Sequence, residues 1–511
     1  MGAELLARTA AQAGVDTVFA NPGTTESHLV AAFDRTPEIR QVLCLFEGVC
    51  TGAADGYARV AQRPAMTLLH LGLGLGNGLA NLHNARRARS PVVNVVGEHA
   101  RAHLAADSPL TTDIQGLAAA MSHWVRTNGA PEELSWDTAA AIQAAHQGEI
   151  ATLVVPTDCQ WSTVDEQIVS VNLPVLGFYT ARVESAAQAL GSRTSGHALL
   201  IGGRLDEATL RAAHRVAEHT GCRVLVQRSP QMQAMGRSLP APERLEHFPE
   251  RLSRQLAGIE TLVLAGTAAP VAVFATPGQS GHPLAPQVHT PVLCEPGEHV
   301  AAALVALGDA LGAPEPPPQS RQPVEEHPAG PLTPATLALS VAATQPEHAI
   351  VVDESITTGF VYRTIHDRCL DHDWIPLSGG AIGQGIPSAT GSAIAAPDRP
   401  VIALVGDGSA MYSVQALWTQ ARMGLNVTTV ICSNRQYAIL LEEYRRADLG
   451  EPSPTGSAIL NLTEPCIGWP NLASSLGVPG VEVSTADELR ESLEQALEEP
   501  GPHLIAAQIS T

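Results

Sequence analysis

The stretch VIALVGDGSAMYSVQALWTQARMGLNVTTVICSN, from Val401 to Asn434, admits few folds. Val401 to Val405 reads as a buried strand and stops at Gly406-Asp407-Gly408, where two glycines let the backbone turn tightly and approach a ligand closely. Ser413 to Leu425 reads as an amphipathic helix, whose amino-terminal N–H groups suit a phosphate. Val427 to Cys432 reads as a second buried strand, which delivers the amide of Asn434 beside the first strand's end. Asp407 and Asn434 can then share one hard cation, which takes oxygen ligands and commonly bridges to a diphosphate. Taken alone, Asp-Gly is also ordinary turn chemistry.

At 511 residues and 45% apolar content the chain is long enough for about three domains, each with its own core. The formal charge of −21 is spread over the whole length and argues against nucleic acid or an anionic membrane as partner. The short basic run Arg86-Arg87-Ala88-Arg89 reads as the solvated end of a helix. Eight cysteines lie mostly in apolar, strand-like contexts with no CxxC and no zinc spacing, which fits buried, reduced thiols in a cytoplasmic protein. The first twenty residues carry Glu4, Arg8 and Asp16 in a helix-like pattern unlike a signal peptide. No apolar run reaches the length of a membrane span, so a soluble enzyme is expected.

Residues 1–165 alternate helix and strand, which predicts a parallel sheet with crossover helices. The expected order is helix Ala3–Ala13, strand Thr17–Ala20, a turn at Asn21-Pro22-Gly23, a helix from Glu26, strand Gln41–Phe46, helix Gly48–Ala61 and strand Met66–His70. A glycine-rich loop from Leu71 to Gly78 and a helix through Ala88 follow. Glu47 is carried into an apolar setting at a strand's carboxyl end, where it either caps the next helix or donates to a ring nitrogen. His70 ends a buried strand and is either an ordinary hydrogen-bonded histidine or a proton relay. The glycines lack a strict GxGxxG, because position 77 is Asn, and so give no dinucleotide fingerprint. They let the backbone come close to a cofactor or a neighbouring subunit. His99 and His103 read as surface residues.

After an irregular stretch around Asn172-Leu173-Pro174, a second alternating unit occupies 186–312, and Ala313 to Gly330, with its Pro-Glu-Pro-Pro-Pro, reads as an extended linker. A third unit, 331–511, begins with a helix near Thr333 and strand Ala349–Val352, leading into Asp353-Glu354-Ser355-Ile356-Thr357-Thr358. Hydroxyls at such a strand-to-helix turn suit phosphate oxygens or act as caps. The expected fold class is therefore α/β, with three doubly wound parallel-sheet domains at 1–165, 186–312 and 331–511.

The strand, GDG, helix, strand and asparagine unit resembles the diphosphate-binding signature of thiamine diphosphate (ThDP) enzymes, with Ser433-Asn434 standing for the usual asparagine pair. That resemblance implies Mg²⁺ held by Asp407, Asn434 and the main-chain carbonyl of Gln436, with Gly408, Ser409 and Thr357 at the diphosphate. FEGVCTGAADGYARVAQRP resembles the aminopyrimidine-binding region, which implies that Glu47 bonds N1′ of the cofactor and drives the imino tautomer that generates the C2 ylide. LSGGAIGQGIP resembles the loop that holds the two cofactor rings in a V, with Ile382 as the wedge and the Gly380 carbonyl on N4′. LLHLGLGLGNGLANLHNARRARSP and ANPGTTE resemble the benzoylformate decarboxylases, implying His70 as proton-transfer residue and Thr24 as a substrate contact. Ile439 and Glu443 depart from that pattern, and a charged Glu443 disfavours a bare phenyl group unless it is paired or points outward.

Over the whole chain the resemblance is to the decarboxylase and acetolactate synthase superfamily, with domains in the order pyrimidine, central and diphosphate. It implies non-oxidative decarboxylation of a small-molecule 2-oxo acid through the ylide and an enamine, with carboligation to a second carbonyl compound as the alternative. It further implies a homodimer or homotetramer with active sites at the subunit interface. Some members carry FAD or ADP in the central domain, but no nucleotide motif here supports either. A non-catalytic ThDP-binding scaffold would lack Glu47 or Asp407, and a nicotinamide oxidoreductase would need the missing fingerprint.

Overall fold

The computed structural model describes every residue except 166–167, 174, 192–194, 324–326 and 511, and the side chain of residue 366. The chain packs into two compact units, one of Met1–Leu173, Val324–Ile365 and Leu377–Thr511, the other of Pro174–Pro323 and His366–Pro376. Pro174 of the first expected linker and residues 324–326 of the second lie outside the described residues.

The first unit opens with six strands: β1 (Thr17–Asn21), β2 (Arg40–Leu43), β3 (Ala65–Leu69), β4 (Val92–Glu98), β5 (Trp124–Thr127) and β6 (Ile150–Pro156). They form one parallel sheet in the order β2-β1-β3-β4-β6-β5. Successive strand residues face opposite sides. Val18, Ala20, Met66, Leu68, Val93, Val95 and Leu153 join one core with the helices Gly2–Gln12 and Leu134–His146. Phe19 points the other way, edge-on to Tyr57 of the helix Glu47–Ala61. With helices on both faces, β3, β4 and β6 are buried along their whole length, as their unbroken apolar runs require.

In the second unit, β7 (His197–Ile201), β8 (Arg204–Leu205), β9 (Arg223–Val226), β10 (Met232–Met235), β11 (Glu243–Arg244), β12 (Thr261–Ala265) and β13 (Val292–Cys294) follow in turn. Five of them make a parallel sheet in the order β11-β9-β7-β12-β13. The helix Glu207–Thr220 beside it starts at Asp206, whose carboxylate accepts the Thr209 N–H at 2.9 Å, and stops at Gly221 with φ +76°.

β14 (Ile350–Glu354) belongs to the first unit and β15 (His372–Pro376) to the second, where it pairs antiparallel with β10. β16 (Val401–Gly406), β17 (Val427–Ser433), β18 (Gly480–Val483) and β19 (His503–Gln508) complete the first unit. There they run parallel in the order β18-β19-β17-β16-β14. The helices Glu47–Ala61 and Gly385–Ala395 cross through small residues, so that a Cβ on Gly56 would lie 2.0 Å from the Ser388 carbonyl oxygen.

Two local expectations need correction. Leu71–Gly78 is not a loop: the helix Leu71–Ala88 begins directly after His70, whose carbonyl accepts the Gly74 N–H at 2.8 Å. Glycine is a poor helix former, but here tertiary packing overrides propensity. A Cβ on Gly72 would meet the Thr112 hydroxyl at 2.0 Å, and one on Gly78 the Thr51 methyl at 2.8 Å. Close approach, expected toward a cofactor or another subunit, is thus also toward the chain itself. The helix expected over Ser413–Leu425 is shorter, Ala416–Met423, and a single helical turn, Asp407–Ala410, precedes it.

Candidate active site

Because β1 and β3 are neighbours in the sheet, the turn after β1 meets the residue that ends β3. There Glu26, fully buried, places Oε2 at 2.8 Å from Nδ1 of His70, which is one-quarter exposed. The same carboxylate oxygen accepts the Gly23 N–H at 2.8 Å, and the Thr25 hydroxyl donates to Oε1. Space for the pair comes from glycines, since a Cβ would strike Glu26 from Gly97 at 1.7 Å and the His70 ring from Gly23 at 2.3 Å. A carboxylate on Nδ1 fixes the ring's orientation and holds the proton on that nitrogen, leaving Nε2 for a reacting group. The hydroxyl brought to His70 is that of Thr25, with Oγ1 at 3.1 Å from Nδ1. Thr24 is exposed at the start of the turn, and its hydroxyl bonds nothing among the described residues.

Glu47 is the first residue of its helix rather than its cap, and it is 7% exposed. Its Oε2 accepts from Asn77 Nδ2 at 2.9 Å, while Oε1 takes no hydrogen bond among the described residues. A Cβ on Gly74 would stand 3.1 Å from that free oxygen. The site therefore keeps one carboxylate oxygen for a ligand.

At the far strand ends, Asp407 Oδ1 accepts the Gly408 N–H at 2.8 Å and Oδ2 the Arg435 N–H at 2.6 Å. Burial raises its carboxyl above the usual range, partly offset by those N–H donors, and no cationic side chain pairs with it among the described residues. The turn after Asn434 is pinned by Tyr437 N–H to Leu460 O at 2.9 Å and Leu462 N–H to Arg435 O at 2.8 Å, leaving the Gln436 carbonyl without a partner among the described residues. Asn434 Oδ1 accepts the Gln436 N–H at 3.1 Å. A buried anion lacking a counter-charge, beside an amide oxygen and a free carbonyl, fits a hard divalent cation. Among the described residues no group of three or more His, Cys, Asp or Glu is placed to hold a metal ion, so such an ion would rest on one carboxylate and neutral oxygens. Gly408 lies under Tyr437, whose ring a Cβ would meet at 2.5 Å. The hydroxyls of Ser409 and Thr357 make no hydrogen bonds among the described residues, whereas that of Ser355 is committed to Asp353 at 2.7 Å.

Backbone strain marks the same places. Leu71, Ile356 and Arg435, three of the eight non-glycine residues with positive φ among the described residues, have φ of 53°, 50° and 56°, and each stands two residues past the end of β3, β14 or β17. Left-handed backbone is uncommon outside glycine and exceptional for β-branched Ile356, costing on the order of 1 kcal/mol or more each.

Two features escaped the sequence reading. Glu26 sits inside ANPGTTE, and the adjacency of β1 and β3 is the signal that would have paired it with His70. Glu354, at the end of β14, accepts N–H groups from Gly383 at 2.6 Å, Gln384 at 3.3 Å and Gly385 at 2.5 Å, fixing the segment that carries half-buried Ile382 and open Gly380 (φ +83°). Burial pushes the Glu354 carboxyl up to about 7 despite these donors. Glu443, the doubtful neighbour of an apolar substrate, is paired with Arg446 at 2.8 and 3.0 Å. His103 is exposed, as expected, whereas His99 is half-buried and bonds Ser108 at 3.0 Å.

Two family models match the chain: the N-terminal TPP binding domain of thiamine pyrophosphate enzymes over residues 1–122 and the C-terminal TPP binding domain over 362–507. A Mycobacterium tuberculosis protein, provisionally named acetolactate synthase large subunit IlvX, is 46% identical over 511 residues, covering 99% of this chain and 98% of its own. The benzoylformate decarboxylase of Pseudomonas aeruginosa is 29% identical over 538 residues, covering 98% and 97%. The solved thiamine diphosphate-dependent 4-hydroxybenzoylformate decarboxylase of Rhodococcus jostii RHA1 shares the fold, with a TM-score of 0.85 at 24% identity over 100% of this chain and 99% of that one.

Proposed function

The chain belongs to the thiamine diphosphate-dependent enzymes, and from that premise we propose that it decarboxylates a small 2-oxo acid without oxidation, using ThDP and Mg²⁺. In this reading residues 1–165 bind the pyrimidine, 331–511 the diphosphate, and 186–312 form a central domain. When bound, ThDP supplies the nucleophilic carbon that adds to the 2-oxo group and the sink for the electron pair left by CO₂. Glu47 would hold a ring nitrogen through its free Oε1, with Asn77 steadying Oε2. Asp407, Asn434 and the Gln436 carbonyl would hold Mg²⁺, with Gly408, Ser409 and Thr357 at the diphosphate, Gly380 and Ile382 at the rings, and Thr24 near the substrate carboxylate. The sequence contains no lysine, so no side-chain amine offers the Schiff-base route to the same carbanion chemistry.

One observation carries decarboxylation: the buried Glu26 on His70 Nδ1. Release of an aldehyde requires a proton delivered to the acyl carbon, and an imidazole whose Nδ1–H is held by a carboxylate can take up a proton at Nε2 and pass it to that carbon. The name of the Mycobacterium tuberculosis relative favours a second reading, carboligation, in which a second carbonyl compound takes that proton's place. The exposed Leu45, Leu73, Met411 and Tyr412, close in sequence to Glu47, His70 and Asp407, support a homodimer or homotetramer whose sites lie at the subunit interface. Eight free cysteines, seven of them buried, support a cytoplasmic setting.

The test is calorimetric titration with ThDP and Mg²⁺, followed by product analysis over aliphatic and aromatic 2-oxo acids. Aldehyde with CO₂ is the expected product. Acyloin alone would establish carboligation, and CO₂ from none of the acids by ThDP-loaded protein would refute both.

A further inference from the structure

Three asparagines share one face of the helix Leu71–Ala88, at positions i, i+4 and i+7: Asn77, Asn81 and Asn84. Asn81 and Asn84 are 4% and 0% exposed, and a buried primary amide is unfavourable unless its donors and acceptor are satisfied. Both are satisfied, largely by the backbone of one distant segment. Asn84 Oδ1 accepts the Ala381 N–H at 3.1 Å, and its Nδ2 donates to the Ala381 carbonyl at 2.7 Å and to Asn81 Oδ1 at 3.0 Å. Asn81 Nδ2 donates to the carbonyls of Gly383 at 3.2 Å and Gly48 at 2.8 Å. The segment lies directly on the helix, since a Cβ on Gly379 would meet Asn84 Cα at 2.8 Å. One turn earlier, Asn77 holds Glu47. A single rigid helix is thus the reference for the carboxylate at one end and for the Gly379–Gly383 backbone at the other.

We propose that Asn81 and Asn84 are positioning residues that clamp the Gly379–Gly383 segment onto the helix orienting Glu47, presetting it for ThDP before the cofactor arrives. This rests on the reading that the chain binds ThDP. A segment with three glycines in five residues, two of them at φ +83° and +100°, has much conformational freedom to lose. If the clamp did not order it beforehand, cofactor binding would have to, and affinity would fall accordingly.

Asn84→Leu removes three hydrogen bonds at similar volume, and Asn84→Asp keeps only the acceptor for the Ala381 N–H. For each variant and for the unaltered protein, ThDP affinity is measured by titration calorimetry with Mg²⁺ present. Amide hydrogen exchange over 379–383 is followed in the cofactor-free proteins. The expected result is a ThDP Kd weakened roughly 10- to 100-fold in Asn84→Leu and at least as much in Asn84→Asp, whose buried carboxylate faces the Ala381 carbonyl and Asn81 Oδ1, with faster exchange in the segment in both. A folded variant that binds ThDP as the unaltered protein does, or that leaves exchange in the segment unchanged, overturns the proposal. Should Asn84→Leu fail to fold, Asn84→Asp and the unaltered protein decide: rapid exchange at Ala381 without cofactor also overturns it. Failure of the unaltered protein to bind ThDP refutes the functional reading instead, while exchange still judges the clamp.

Discussion

The crossing of the helices Glu47–Ala61 and Gly385–Ala395 offers a perturbation with two opposed effects of known size. Replacing Gly56 by Ala in a helix interior is favourable by about 1 kcal/mol from propensity alone. Here, however, the new Cβ would lie 2.0 Å from the Ser388 carbonyl oxygen and 2.7 Å from Ser388 Cα, both backbone atoms that no rotamer change can move. Relief needs the helices to part by more than 1 Å, roughly enough to forfeit a quarter to a half of the dispersion energy at the contact. Neighbouring contacts would part with it, since virtual Cβ atoms on Gly52 and Gly391 lie 2.7 Å from Pro387 and 1.8 Å from the Ala53 carbonyl oxygen. Overpacking at the upper end, about 3 kcal/mol, outweighs propensity and leaves a net loss of about 2 kcal/mol. For a folding unit of several hundred residues that is a drop of roughly 3 °C in melting midpoint. Gly76→Ala is the control: nothing lies within 4 Å of its Cβ, so propensity acts alone and raises stability by about 0.5–1 kcal/mol. Differential scanning calorimetry of the cofactor-free proteins reads both. A Gly56→Ala variant that melts at or above the unaltered protein would refute the reasoning.

Two further outcomes follow from the buried carboxylates. Glu354 has its folded value raised from 4.5 to about 7, so the native state binds the proton more tightly and stability falls as pH rises between those values. Relative to Glu354→Gln, the unaltered protein should lose on the order of 3 kcal/mol between pH 4.5 and 7, seen as a pH-dependent difference in melting midpoint; a constant difference would contradict it. Glu26→Gln should lower kcat/KM at least about 10-fold, and in His70→Ala the same change should cost little more, because the two act as one unit. Steady-state kinetics of the single and double variants would expose an additive pattern, which would separate Glu26 from His70.

Much of the candidate site was readable because parallel α/β sheets put polar side chains at the carboxyl ends of strands, and strands reveal themselves by unbroken apolar runs. His70, Asp407 and Asn434 each stand directly after such a strand, whereas Glu47 lies four residues beyond β2, a short strand exposed at three of its four positions and not the buried Gln41–Phe46 strand expected. The helix from Leu71 was missed because glycine-rich sequence argues against a helix locally, while Thr112 and Thr51 pack against that backbone from elsewhere in the chain. The helix expected over Ser413–Leu425 is longer than the one that forms, since a periodic pattern does not reveal that the carbonyls of Ser413, Val414 and Gln415 accept i+3 bonds in turns and that Gly424 closes the helix at φ +60°.

Sequence alone determined the α/β class, the family resemblance and that His70, Asp407 and Asn434 follow buried strands, because these depend on short-range periodicity and contiguous motifs. Tertiary structure alone decided what holds those side chains in place. Glu26 finds His70 across 44 residues, and Asn84 finds Ala381 across 297. A buried carboxylate or amide must be satisfied by whatever backbone the fold brings within about 3 Å, and no local pattern encodes which segment that is.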